Sequence, residues 1–346
     1  MTPVSFDLWD TVLWHPEGPN PAWDDRVALV ARLTRAHPAD VSSALRGTPL
    51  PTDQAEPLDL TITTQLSHAL ADLKASPGVV AEAVEGFARL AARYPPIPVP
   101  GLRRTLVRLA QREPLALVSN TRWTPGAVLE QFLEDEGLAG LFATTAFSDQ
   151  TGWAKPAAGA FAAAWGRIGA DPGGTVHVGD RVDRDVEGAR RVGAKAVVCR
   201  TVRPTREEGD GSADGILCDY AGLGAMVARV CDREIPGWEL VAEGVSVLGP
   251  PVIGRTSVLE TATVPRTGRI ALLAHGAAEP DRLFARAPAV VAEKGGTESV
   301  VARLATASGT PCVVGAEGLR QRVFEGDLLL VDGTNGRIHA PVDRRA

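Results

Sequence analysis

The feature that most constrains this chain is the alternation between residues 102 and 199, where short apolar runs trade places with stretches of helical period. Apolar and β-branched residues dominate 115–119, 143–147, 175–178 and 194–199. Between and around them lie segments over 102–111, 127–136, 157–168 and 186–192 whose apolar residues suit one face of a helix. Runs with no polar face read as strands buried on both sides, and strand, helix, strand in succession returns the chain in the same direction. The pattern predicts an α/β fold, a Rossmann-like parallel sheet with helices on both faces. A further strand is expected over residues 3–8, with its end at Asp7. Open sheets of this kind bind ligands at the carboxyl ends of their strands, so the residues after each run are the candidates for chemistry.

Two other textures flank this core. From about residue 21 to 93 the period is helical throughout: Trp23, Val27, Val30 and Leu33, then Leu66, Leu70 and Leu73, then Val80, Val84, Phe87 and Leu90. Pro95, Pro96, Pro98 and Pro100 close this insert, because each ring removes a donor and drives the preceding residue out of helix. The acidic, glycine-rich stretch 207–214 reads as a loop. Beyond Gly237 come short β-branched runs over 239–248, 257–263, 269–274, 289–292, 312–315 and 327–331, interrupted by a helical stretch over 298–307. The chain therefore divides into a core over 1–15 and 96–232, a helical insert over 16–95 and a β-rich module over 238–346. A length of 346 residues with 45% hydrophobic side chains is enough for about two cores.

Charge and cysteine usage exclude several partners. A formal net charge of -6 offers no basic footprint for nucleic acid or an anionic membrane surface. Cys199, Cys218, Cys231 and Cys312 are scattered with no CxxC pair, so neither a zinc site nor a disulfide framework is signalled. No apolar stretch approaches the length of a membrane span, and residues 1–14 lack a basic segment followed by a long apolar run. A soluble, cytoplasmic protein is the expectation.

Four strand-end segments stand out. They are VSFDLWDTVL at 4–13, LVSNT at 117–121, FSDQTGWAKP at 147–156 and HVGDRVDRDVEGA at 177–189. In this order, each after the expected element, they resemble the four motifs of the haloacid dehalogenase superfamily, a large group of mostly phosphate-transferring hydrolases. The resemblance covers residues 1 to about 232. Phosphoryl transfer needs an in-line nucleophile, a divalent cation and fixed donors for developing charge. Asp7 can supply a carboxylate oxygen and form an aspartyl phosphate. Asp180 and Asp185, with Asp7, make an oxygen ligand set of the kind Mg²⁺ prefers. Ser119 and neighbouring backbone N–H groups would hold non-bridging oxygens, and Lys155 would offset the carboxylates and keep Asp7 ionised. Trp9, Thr11, Asn120 and Thr121 lie in the same loops as candidate substrate contacts. Taken singly, each residue has a plainer reading as a helix cap or turn former, and Asp183 as solvated surface.

One departure from the family pattern bears on mechanism. Phosphatases of this group usually carry a second aspartate two residues after the nucleophile, which protonates the leaving oxygen and then activates water. Here that position is Trp9, and Asp10, where the family commonly has glycine, comes one residue late; on an extended backbone its side chain would point elsewhere. Members that cleave carbon–halogen or carbon–phosphorus bonds also lack that aspartate, since a halide leaves without a proton. Carbon–halogen hydrolases need no metal, however, and would not be expected to keep Asp180 together with Asp185; in a phosphate-handling site the acid role would then fall to Asp10, to water or to no group at all. A phosphonate-cleaving enzyme would want a lysine in the insert, and Lys74, the only one there, reads as a solvated helix-end residue. The resemblance makes the insert a cap that closes over the site and selects substrate. Trp14, His15, Trp23, Arg26 and His68 are its candidate contacts, the tryptophans reading otherwise as core and Arg26 as surface.

The C-terminal stretch has its own resemblance. AVVAEKGGTESVVARLATASGTPCVVG at 289–315 and FEGDLLLVDGTNGRI at 324–338 resemble the swivelling phosphohistidine (mobile) domain of phosphoenolpyruvate-utilising enzymes, of β/β/α build. In those enzymes a glycine pair shortly precedes the histidine that carries phosphate. Here Gly295 and Gly296 are followed by Thr297, Glu298 and Ser299, and Val300 stands in the carrier position. Valine has no nucleophile, and the spacing of His275 and His339 suggests no replacement. Either the module docks on the core or on a second chain, including self-association, or its glycine loop binds an anion. Glu298 would compete for the positive helix end and argues against the anion. The sequence thus leads to a Mg²⁺-dependent hydrolase of a small phosphorylated metabolite. The competing readings are carbon–halogen or carbon–phosphorus hydrolysis, and a catalytically attenuated binding or scaffold protein.

Overall fold

The computed structural model describes all residues except 19, 206, 208, 260–263, 275–279 and 344–346, so His275 lies outside the described residues. The chain separates into two compact units, Met1–Val99 with Ala110–Thr175, and Pro100–Leu109 with Val176–Ala346.

In the first unit, strand Leu115–Ser119 pairs in parallel with Val4–Phe6 on one side and Thr144–Phe147 on the other. Every residue of the middle strand is buried, which is why it reads as an unbroken apolar run. Phe6 lies opposite Leu117, and Ser119 opposite Phe147. This register brings Asp7, Asn120 and Ser148 out at the same end of the sheet. Helices Gly126–Asp135 and Ala158–Trp165 follow two of the strands, the second continued by a 3-10 turn at Gly166–Ile168.

The insert leaves and re-enters the sheet through a two-stranded antiparallel pair, Leu13 opposite Pro98 and Trp14 opposite Ile97. Between these crossings stand helices Trp23–Thr34, Pro38–Arg46, Ile62–Ala69 and Pro77–Arg93. The predicted repeats form its core: Val27, Val30, Leu66, Leu70, Val80 and Phe87 pack together with Val41, Leu45 and Trp123. Helix starts follow local chemistry. Ser76 accepts from the Val79 N–H with Pro77 at the first turn, and Thr61 accepts from the Thr64 N–H.

In the second unit, Val176–Gly179, Lys195–Cys199 and Gly215–Leu217 pair in parallel. The last strand was not foreseen, nor was helix Leu223–Val230 after it. The sheet continues into Pro251–Leu259, whose Val252 and Ile253 pair in parallel with Ile216 and Leu217. The far half of this strand, Thr256 to Leu259, pairs with Ile270–Leu273, followed in parallel by Val290–Ala292 and Cys312–Val314. On its other side runs the antiparallel series Leu328–Asp332, Arg337–Pro341 and Trp238–Glu243. The single run expected over 239–248 is two strands broken at Gly244. The run expected at 257–263 begins earlier, at Pro251, and its last residues fall outside the described ones. Helix Val300–Ser308 packs Val301, Ala302 and Ala305 against Leu283, Phe284, Val290 and Cys312. No helix among the described residues is long and apolar enough to cross a membrane.

Candidate active site

Asp7 follows strand Val4–Phe6 directly, and its carboxylate receives the Lys155 ammonium at 2.5 Å, both side chains buried. Lys155 is held by Asn120. The Asn120 amide donates to the Lys155 carbonyl at 2.9 Å and its oxygen accepts the Lys155 N–H at 2.7 Å. A reciprocal pair of this kind fixes the backbone of the lysine at the point from which its side chain reaches Asp7. Ser119 ends the middle strand, 1% exposed, and its hydroxyl has no hydrogen-bond partner among the described residues. A buried hydroxyl left without a partner costs stability. Thr121 turns away to structural work: its N–H and hydroxyl meet the Ser148 hydroxyl at 2.9 and 3.0 Å, and its hydroxyl accepts the Asp149 N–H. The insert reaches the lysine loop as well. The Gln54 amide donates to the Gly152 carbonyl at 2.9 Å and its oxygen accepts the Ala154 N–H at 2.7 Å.

After Asp7 the chain does not stay extended. Val12 and Leu13 donate backbone N–H groups to the Leu8 carbonyl, and Asp10 adopts φ 56°, a left-handed conformation that costs a side-chain-bearing residue about 1–2 kcal/mol. This explains why a glycine suits the position, and it removes the premise that an extended backbone aims Asp10 elsewhere. Trp9 stacks on His15, ring centroids 5.4 Å apart, and Thr11 is fully buried. Burial pulls the His15 imidazolium below its ordinary range; Asp10 pushes it up, and Arg26 pushes it further down.

Of the cap candidates, Arg26 departs from its surface reading: it is 6% exposed. Trp23 and Trp14 are half-buried, with Arg46 lying over the Trp23 ring at 4.4 Å, while His68 and Lys74 are exposed.

In the second unit, Asp180 follows strand Val176–Gly179 and Asp185 lies in a single π-type turn, Val182–Val186; both are buried. Asp185 is pinned from two sides, by His177 Nε2 at 3.1 Å and by the Arg181 N–H at 2.9 Å. A Cβ on Gly179 would lie 2.3 Å from the Asp185 carboxyl carbon, so only glycine admits this carboxylate. Two buried carboxylates are hard oxygen donors, which suit Mg²⁺ rather than a soft metal. Asp183 faces solvent against Arg181 and Arg184.

Sequence reasoning missed the support behind Asp180. Arg200, 1% exposed, donates to the Asp180 carbonyl at 2.7 Å and grips Asp210 through Nε at 3.0 Å and Nη2 at 2.5 Å. Burial pulls the guanidinium down, but the hydrogen bond and charge of Asp210 outweigh it and hold Arg200 above its ordinary value. Asp210 lies in the stretch read as a loop, where an acidic residue is expected in solvent; nothing local distinguishes it. His177 did carry a signal, being the polar residue in an otherwise apolar run.

Aspartates at the ends of parallel strands, a strand-end serine and a lysine held against the first aspartate are similar to the arrangement expected of the haloacid dehalogenase fold. Residues 152–217 match the family model described as HAD-hydrolase-like, and 270–336 match that of the PEP-utilising enzyme mobile domain. The chain is 34% identical over 142 residues to a phosphoserine phosphatase of Thermus thermophilus, covering 41% of this chain and 55% of that protein. It is 37% identical over 98 residues to an uncharacterised protein of Mycobacterium tuberculosis, covering 28% of this chain and 12% of that one. The chain thus spans about half the length of the first relative and far less of the second. A HAD phosphatase from Thermococcus onnurineus superposes with a TM-score of 0.50 at 20% identity, over 68% of this chain and 100% of that one. A 2-haloacid dehalogenase from Pseudomonas syringae gives 0.46 at 23% identity, over 66% and 99%. Two separate stretches of the chain are thus similar to known families, residues 152–217 to HAD-like hydrolases and residues 270–336 to the mobile domain of PEP-utilising enzymes.

Proposed function

We propose that this protein hydrolyses phosphate monoesters of small metabolites in a Mg²⁺-dependent reaction with Asp7 as nucleophile. The observation that carries the reading is the buried pairing of Lys155 with Asp7 at the end of the first strand. The name of the Thermus relative, a phosphoserine phosphatase, supports the same class. An Asp7 oxygen attacks phosphorus as the bond to the substrate's alcohol oxygen breaks, leaving an aspartyl phosphate and an alkoxide that takes up a proton. Asp10, in its left-handed turn, supplies that proton in place of the missing acid. Water then attacks the phosphorus, releasing inorganic phosphate and restoring the carboxylate. Ser119 hydroxyl and Lys155 ammonium hold the non-bridging oxygens, while Trp9, Thr11, Asn120 and Thr121 shape the loops around them. Asp7, Asp180 and Asp185 are the proposed ligands of Mg²⁺, which when bound would neutralise phosphate charge.

For the C-terminal module we propose a docking role, toward the core, a partner or a second copy. Val300, 58% exposed in the carrier position, has no group to phosphorylate. The protein is proposed to work in the cytoplasm.

The test is a panel of sugar, nucleotide and three-carbon phosphates with Mg²⁺. Turnover abolished by Asp7→Asn and by chelator is expected, with Asp10→Asn slowing alkyl esters more than p-nitrophenyl phosphate, whose leaving group needs no acid. Metal-independent halide release from a 2-haloacid would replace this reading with dehalogenation. No turnover under any condition would leave a binding or scaffold protein.

A further inference from the structure

Residues 47–61 join helices Pro38–Arg46 and Ile62–Ala69 of the insert with no helix or strand of their own, and over 52–59 every residue is exposed except Gln54, which is half-buried. Both ends of this connection are tied down. Arg122 donates to the Leu45 carbonyl at 2.9 Å before it, and the Gln65 side chain donates to the Leu60 carbonyl at 2.7 Å near its close. Its middle lies on the loop that leads to Lys155. The Gly152 carbonyl accepts the Leu58 N–H and the Gln54 amide, each at 2.9 Å, and Gln54 Oε1 accepts the Ala154 N–H at 2.7 Å. Gly152 has φ 77°, and a Cβ on it would lie 2.8 Å from the Leu58 carbonyl oxygen and 2.9 Å from the Pro57 Cβ. Glycine alone permits so close an approach on that backbone.

Two carboxamides therefore share the backbone of the lysine loop. Gln54, from the insert, takes the Gly152 carbonyl and the Ala154 N–H; Asn120, after strand Leu115–Ser119, takes the N–H of Lys155 at 2.7 Å and its carbonyl at 2.9 Å. Each offers the donor and acceptor that a paired strand would otherwise supply. The lysine that meets Asp7 at 2.5 Å is thus carried by a loop fixed by the sheet at one point and by the insert at the next. An exposed stretch has no need of its own to immobilise a glutamine, whose amide water satisfies and whose ordering costs side-chain entropy. The return is a lysine backbone held in one place, which a charge that stabilises a transition state requires.

We infer that Gln54 is a positioning residue for Lys155, and that docking of residues 54–58 of the insert on the Gly152–Ala154 backbone sets the lysine against Asp7. The inference rests on the phosphatase reading above and gives the insert a part in the chemical step besides the choice of substrate.

Gln54→Met tests it by removing both hydrogen bonds at nearly constant side-chain length. On a phosphate monoester that the protein turns over, kcat should fall by about ten-fold or more while KM changes by less than about two-fold, because a misplaced charge is felt in the transition state rather than in ground-state binding. Gln54→Glu keeps the acceptor for Ala154 but not the donor for Gly152, and should fall between wild type and Gln54→Met. Glu56→Gln, at an exposed neighbour in the same stretch, should match wild type. An unchanged kcat in Gln54→Met, or an equal loss in Glu56→Gln, overturns the inference. So does a change confined to KM, which would make the stretch a substrate contact instead. A second readout needs no turnover. Lys155 is 2% exposed and the Lys195 side chain 45%, so acetic anhydride, with labelling read by mass spectrometry, should acylate Lys155 slowly relative to Lys195. Gln54→Met is expected to raise that ratio by about ten-fold, the scale of one or two hydrogen bonds lost from the closed loop; a ratio equal in the two proteins overturns the inference. If no ester is turned over, the phosphatase reading fails, while the acylation ratio still decides whether Gln54 holds Lys155 in place.

Discussion

The buried pair behind Asp180 supports a quantitative prediction. Arg200 and Asp210 are 1% and 0% exposed, joined by two hydrogen bonds of 3.0 and 2.5 Å, while the third arm of the guanidinium holds the Asp180 carbonyl at 2.7 Å. Glu207, at 3.3 Å, is half exposed and contributes little. Arg200→Met strands the Asp210 carboxylate in the interior, and removing one partner of a buried pair costs about 3–5 kcal/mol. For a unit of this size each kcal/mol moves Tm by about 2–4 °C, so a fall of roughly 6–20 °C is expected in a thermal scan. Arg200→Met with Asp210→Leu removes both charges. Because a buried pair and a well-packed apolar replacement are often nearly equal in stability, the double variant should regain most of the loss. The Asp180 carbonyl loses the Arg200 donor in both, so any gain in Tm on adding Mg²⁺ should be reduced in the single and the double variant alike. A loss below about 1 kcal/mol in the single variant, or single losses that simply add in the double, would refute the reasoning, since contacting partners should couple.

Two further outcomes follow from the geometry. Gly179→Ala puts a methyl where Asp185 packs, 2.3 Å from its carboxyl carbon, and should abolish any rise in Tm on adding Mg²⁺ and any Mg²⁺-dependent turnover of the unsubstituted protein; a metal response equal in both proteins would show that Asp185 does not serve the proposed site. Burial lowers the pKa of His15 and His339 below 6.5, and His339 Nδ1 has no partner among the described residues. The unfolded chain therefore takes up protons that the folded chain refuses, so stability is full above about pH 6.5 and falls as pH drops from there toward the folded-state values. Urea unfolding at about pH 7.5 and about pH 5.5 should show this loss, smaller in His339→Asn; an equal loss in both proteins would exclude His339 as a source.

Much of the architecture was legible because burial on both faces leaves an unmistakable trace. Leu115–Ser119 is all apolar apart from the serine at its exit, and that exit is where ligands meet such sheets. The motif residues Asp7, Ser119, Lys155, Asp180 and Asp185 were legible for a related reason: each follows or opens an element whose period is visible. The C-terminal strands were read less well. Gly215–Leu217 is three residues long and Arg337–Pro341 alternates buried and exposed positions weakly, so neither stands out from a loop. Arg26 was read as surface because arginine in an amphipathic helix usually faces solvent; its burial comes from Phe87 and Thr124, residues far away in sequence.

By itself the sequence determined the alternation of strands and helices between residues 102 and 199, the helical insert, the mobile-type module with Val300 in its carrier position, and the residue types at the strand ends. These are local properties, set by the period of burial and by the chemistry each residue can perform. The tertiary structure decided which of those residues have partners and which lack them. It gave Lys155 to Asp7 through Asn120, left the Ser119 hydroxyl and the Arg26 Nε with none among the described residues, and turned Asp10 into a left-handed conformation. It also buried Asp210, from a stretch that reads as loop, against Arg200 behind Asp180. Such pairings depend on distances between residues tens or hundreds of positions apart, and no local pattern encodes them.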